Sequence, residues 1–230
     1  MKNGLTTRSI ASSALAVVAV LSLATVAVAG PGGKGNGKGK GKPAASTTTD
    51  PPPPPPTTDP PPTTDPPASA ANEADADFVR MMIPHHQQAL VLSRLAPGRT
   101  TNIELLTLAE RIDVEQTVEI ATMQQWQAFN GFDETDPEGA YAMMMQDPAM
   151  IEMMGMATQA ELDLLETLSG SAFDQLFLPL MIDHHQGAVD MCVQVMTHGQ
   201  EPVLQSMANE MLTTQSTQIF QMQAMLAGVG

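Results

Sequence analysis

The chain has 230 residues, 3% aromatic and 15% charged, with 25 acidic residues against ten lysines and arginines, a net charge of −15 and one cysteine. A single cysteine excludes an internal disulfide, and so acidic a balance excludes nucleic acid and anionic lipid as partners. What asks for a chemical explanation is 18 methionines and five histidines, four of the histidines in two adjacent pairs.

In chain order, Lys2 and Arg8 precede an apolar run from Ile10 to Ala29 that closes on "AVA", which reads as a secretory signal over 1–29. An uncleaved anchor is the alternative, since about 20 apolar residues can span a bilayer. Residues 30–71 form a linker, "GPGGKGNGKGKGK" and then "DPPPPPPTTDPPPTTDPP". Neither composition can bury enough apolar surface to offset chain entropy, and the proline blocks favour extended geometry. The chain is thus expected to be secreted or extracytoplasmic, with its stalk lysines able to associate with an anionic cell wall. The folded part is expected over 72–230. Four arginines stand there against 22 acidic residues, a balance of −18. Such a surface concentrates cations and predicts neither nucleic-acid binding nor membrane insertion of this domain.

A shift of 99 residues lays Phe78 on Phe177, Met82 on Met181, His85 and His86 on His184 and His185, Gln116 on Gln215, and Met123 on Met222, without a gap. Apolar positions recur at steps of three and four in both copies, a helical period. The expected fold is all-α: an antiparallel four-helix bundle made from a duplicated helical hairpin, with repeats over about 75–130 and 171–228. Gly131 and Gly199 are the expected breaks after the second and third helices. The crossover, 131–170, is expected to carry a short helix opened by a capping box of Thr158 and Glu161.

Helical spacing puts Met82 beside His85 and His86, and Met181 beside His184 and His185, while Met81 can reach His85. Adjacent histidines point about 100° apart, so one of each pair faces inward and its neighbour a flanking helix. Pro84 removes a ladder bond before the first pair, and Pro179 sits ahead of the second. Gln116 and Gln215 interrupt the apolar stripe and are the expected acceptors behind the histidines, with Glu119 a third candidate. Thioether and imidazole donors suit copper, as Cu(I) or Cu(II), with Ag(I) as a mimic. Di-iron chemistry is disfavoured because no Glu-x-x-His occurs. Between Met143 and Met156 lie seven more methionines, readable as core filling or as a thioether-rich lid or loading site. His198 reads as a helix C-terminal dipole partner and Cys192 as a small core residue.

The stretches "FVRMMIPHHQQAL" and "FLPLMIDHHQGAVDM", followed by "EQTVEIATMQQW" and "STQIFQMQAM", resemble the family known as domain of unknown function 305 over about Asp75 to Leu226. The resemblance implies a ferritin-like four-helix bundle, and for some exported members periplasmic copper binding linked to copper resistance. Position by position it implicates Met82, His85, His86, Met181, His184 and His185, with Met123 and Met222 as further thioether candidates. The expected function is copper sequestration or buffering outside the membrane, with no reaction implied. A copper-dependent oxidoreductase and a metal-free helical interaction module are the alternatives.

Overall fold

The structure, a computed structural model, describes residues 71–228. The leader expected over 1–29, and the linker over 30–71 except for its last residue, lie outside the described residues. Among those described there are seven helices and no strand: α1 (Glu73–Ser93), α2 (Ile103–Phe129), α3 (Pro137–Met144), α4 (Pro148–Met153), α5 (Gln159–Thr167), α6 (Ser171–His198) and α7 (Pro202–Gly228). None of them is long and apolar enough to cross a membrane.

Each long helix starts or stops where local chemistry requires it. Asn72 caps α1 in a reciprocal box with Asp75, and Asn102 caps α2 by accepting from Glu104 and Leu105 N–H groups. After α2 the chain turns at Gly131, whose φ of 76° favours a residue without Cβ. Gly199 ends α6, and His198 lies in that last turn as expected, its Nδ1 3.0 Å from the Gln194 carbonyl. Both Pro84 and Pro179 are accommodated inside continuous helices.

The crossover differs from the expectation of one short helix, because it holds three. The expected one is α5, capped by Thr158 and Glu161. The other two begin at Asp136-Pro137 and Asp147-Pro148, where an aspartate accepts first-turn N–H groups and a proline occupies a position whose N–H is unused anyway.

Two apolar layers fill the interior between the long helices. One joins the start of α1, the end of α2, the end of α6 and the start of α7, through Phe78, Met82, Met123, Trp126, Cys192 and Leu204. The other joins the opposite ends, through Leu92, Leu105, Ile112, Phe173, Phe177 and Met222. Neighbours in each hairpin therefore run antiparallel, as do α1 and α6. Burying side chains of this size contributes about 1.5–3 kcal/mol each, which makes the layers the main source of stability.

One end is closed by polar groups. The buried Asp75 carboxylate accepts from the backbone N–H groups of Gln200, at 3.0 Å, and Glu201, at 3.2 Å, so the start of α1 holds the α6–α7 turn. Glu201 in turn accepts from Trp126 Nε1 at 2.8 Å and from the first N–H groups of α7. Asp75→Ala strands those donors and removes half of the α1 box, with an expected cost of about 2–4 kcal/mol. A lower urea midpoint of the full chain with an unchanged slope checks it.

Candidate metal centre

Between the two apolar layers, α1 and α6 bring the histidine pairs together. The rings of His85 and His184 stack with centroids 3.7 Å apart and planes 30° from parallel. Their neighbours turn away along the helix, His86 at 6.3 Å from His85 and His185 at 6.1 Å from His184. As the helical angle requires, His86 leans onto α2, where Nε2 donates to Glu119 Oε2 at 2.7 Å, and His185 onto α7, where Nε2 donates to Gln218 Oε1 at 2.8 Å. All four side chains are fully buried.

The hydrogen bonds fix the protons. His85 Nε2 faces the Met154 carbonyl at 3.1 Å and His184 Nε2 faces the His85 carbonyl at 2.9 Å. Carbonyl oxygens only accept, so both Nε2 atoms carry the hydrogen. Gln218 is oriented by its own Nε2, which donates to Glu115 at 2.6 Å, leaving Oε1 as the acceptor for His185. Burial, reinforced by the neighbouring His86, holds the His85 pKa down at about 3 against the pull of the Met154 carbonyl. Burial also holds His185 at about 4, although its Gln218 bond favours the charged form. For His184, burial and then His85 and His185 push the value well below the usual imidazole range. These three rings are therefore neutral near pH 7, and a neutral ring protonated at Nε2 has a bare lone pair at Nδ1. In all four histidines of the layer, His86 included, the Nδ1 atom is buried and makes no hydrogen bond.

Four orphaned imidazole nitrogens in one layer are costly, since a buried acceptor left unmade forfeits about 1–3 kcal/mol. They are also what a cation needs: ligating rings whose other N–H is held by a carbonyl or carboxylate. Among the described residues no three His, Cys, Asp or Glu side chains form a group that could hold an ion by themselves. Imidazole with thioether nearby is a donor chemistry that suits a soft ion better than it suits zinc.

Thioethers lie on both sides. Met82 and Met123 are buried in the layer at one end, and Met181 and Met222 occupy the equivalent places in the other, 99 residues on in each case. Met81 goes elsewhere: half-buried, it packs against a separate cluster of Met144, Ile151, Met154 and Met156 from the crossover. Cys192 is buried in the Met82 layer, where burial and then Glu119 raise its thiol to about 12, so it stays protonated.

The acceptors behind the histidines differ in part from the expected ones. Glu119 serves His86, but Gln116 and Gln215, although buried in the interior, hold no histidine: both amide atoms of Gln116 and Oε1 of Gln215 have no partner. The bonds go instead to Glu119 and Gln218, one turn further along each helix. Sequence reasoning missed Gln218 as a site residue, although the 99-residue register lays it on Glu119.

A strap from the crossover closes the centre. Gln88 donates to the Ala157 carbonyl at 2.9 Å and accepts from the Ala157 N–H at 2.7 Å, pinning it to α1. Position 187, the register equivalent of Gln88, is glycine, and a Cβ there would fall 1.8 Å from the Met154 oxygen. Gly155 makes the reciprocal approach, with φ of 67° and room for no Cβ beside the Asp183 carbonyl. The repeat breaks its symmetry at 88 and 187 because one strap must dock on both helices.

Comparison with known proteins gives this architecture a family. The family profile described as domain of unknown function (DUF305) matches residues 75–226. Among solved structures, a DUF305 fragment from Deinococcus radiodurans is 30% identical with a TM-score of 0.60, covering 68% of this chain and 97% of its own. A DUF305 protein from Streptomyces coelicolor is 32% identical with a TM-score of 0.59, covering 68% and 94%. CopM in its Cu(II)-bound form is 31% identical with a TM-score of 0.57, covering 67% and 96%, and CopM is also solved with Cu(I) and with silver bound. No curated protein matches the chain. The all-helical domain described here, with its paired histidines, belongs to the DUF305 family.

Proposed function

We propose that the protein binds copper, sequestering or buffering Cu(I) outside the cytoplasmic membrane. The observation that carries this reading is the set of four buried Nδ1 atoms without hydrogen-bond partners. No more than two at a time of His85, His86, His184 and His185 would hold the ion through those nitrogens, with Met82, Met181, Met123 and Met222 as the available thioethers. Imidazole and thioether together favour the monovalent ion, and Ag(I) should substitute for it; the imidazoles alone can also take Cu(II). Glu119 and Gln218 orient two of the rings through Nε2, and the Met154 carbonyl a third. Copper- and silver-bound CopM, similar over most of its length, supports the choice of metal. Export is supported by the apolar leader and by the Streptomyces coelicolor relative, whose name calls it secreted. The Gly/Lys and Pro/Thr linker is then a tether, with its lysines suited to an anionic wall.

The test is a competition titration of the full chain against a Cu(I) chelator. One tight equivalent is expected, absent when all four histidines of the layer are replaced by glutamine. Equal affinity in the two chains would remove the proposal. Metal bound only as Cu(II), and retained in the glutamine variant, would also remove it.

A further inference from the structure

Outside the histidine layer the chain gathers a second set of soft donors. A cavity of about 600 Å³ opens between the first half of α1, the second half of α6 and α4. Four thioethers line it: Met81, Met153, Met154 and Met191. Their exposure is graded, since Met153 is 70% exposed, Met81 and Met191 are half-buried, and Met154 is 2% exposed. A core-filling role explains Met154 but not Met153, because a large apolar side chain left that exposed contributes little to packing. The carboxylate of Asp190 stands on the same walls, as does that of Asp77, which is paired with Arg80, in a domain whose surface already attracts cations.

The floor of this cavity is the strap. Met154 presents its side chain to the cavity and its carbonyl to His85, and Gly187 forms part of both walls. One residue of backbone separates the two compartments.

We propose that this cavity is a docking site for a soft monovalent cation, Cu(I) or Ag(I), held by the thioethers of Met81, Met153 and Met191, and that it is the port through which the ion reaches the histidines. The port rests on the copper reading above, whereas the docking site is a separate binding event. Thioethers give a weak, labile shell that carries no proton to displace, which suits transient capture. The buried imidazoles give the tighter one. Transfer needs only a local parting of the strap at Met154, with Gln88 and Ala157 as its hinge.

The experiment uses the full chain labelled with ¹³C at the methionine methyl groups and titrated with Ag(I), a redox-inert probe. Wild type is compared with a variant carrying Met81→Leu, Met153→Leu and Met191→Leu, changes that conserve volume and do not touch the histidine layer. In wild type a tight event is expected first, then a weaker one that moves the methyl resonances of those three residues. The variant should lose the weaker event, keep the affinity of the tight one, and fill it roughly tenfold more slowly when mixed rapidly with Ag(I), because the local ion concentration is gone. A weaker event that persists in the variant, or a variant that loads at the wild-type rate, overturns the port. Absence of the tight event from wild type would instead sink the copper reading, so the two failures are told apart.

Discussion

Replacing His184 by leucine is expected to leave the copper-free chain as stable as wild type, or about 1 kcal/mol more stable, while weakening Cu(I) binding by more than about 100-fold. The two effects have opposite signs because the same atoms produce both. His184 is fully buried, stacked on His85, and carries a lone pair at Nδ1 that nothing satisfies. Its single bond, from Nε2 to the His85 carbonyl, goes to an oxygen inside α1 that belongs to the helix ladder, so removing it strands no acceptor. Leucine has a similar volume and lies between two apolar layers, where it exchanges an unpaired polar atom for dispersion contacts. Copper, by contrast, loses a direct ligand, and the loss of even an outer hydrogen-bonding partner costs about 10–100-fold in metal affinity. Chemical denaturation without metal and a chelator competition with it measure the two quantities on one preparation. If histidine were there to hold the fold, the substitution would destabilise the apoprotein and leave copper affinity intact, and that result would sink the assignment.

Much of this centre is legible in the residue pattern, and what is not has identifiable causes. Period and register place the long helices and the facing histidines because both depend on local geometry: Phe78, Met82, His85 and Ala89 share a stripe, and the copy 99 residues on repeats it. Caps follow from one residue and its third neighbour, as at Asn72 and Thr158. The choice of acceptor does not, because Gln116 and Glu119 sit one turn apart on α2, and only the level at which α1 lies against α2 decides which meets His86. The strap is harder still. Its bonds join Gln88 to Ala157 and His85 to Met154 across 69 residues, and no periodicity runs through the methionine tract between them. The trace it does leave is the departure from the repeat, Gln88 against Gly187, which becomes meaningful once a carbonyl is known to need that space. Asp-Pro at 136 and 147 carries the local signal for the two extra helices, but the exposed methionines around them mask any amphipathic period.

Mild acid should unfold the copper-free chain, because its buried histidines resist protonation in the folded state. His85 and His185 have folded-state values near 3 and 4, and His184 is likewise depressed, whereas in an unfolded chain each takes up a proton near pH 6.5. Below 6.5 the unfolded state therefore binds more protons than the folded one, so stability falls as pH falls. The loss is absent above about pH 7 and continues until the folded values are reached near 3–4. At about 1.4 kcal/mol per pH unit for each group, three groups cost on the order of 5 kcal/mol at pH 5, comparable with the whole stability of a typical domain. The acidic groups nearest the layer, Glu119 beside His86 and Glu115 behind Gln218, lie on α2. Helical circular dichroism followed from pH 7.5 to 4 should show a cooperative loss centred between pH 5 and 6. Stoichiometric Cu(I) or Ag(I) should move that midpoint down, because an ion that binds only the folded state adds stability that grows with the logarithm of its free concentration. In the variant with all four histidines changed to glutamine, both the midpoint near pH 5–6 and its response to metal should vanish together. A metal response that survived without the proton-linked step would mean that the ion is held somewhere other than on these rings.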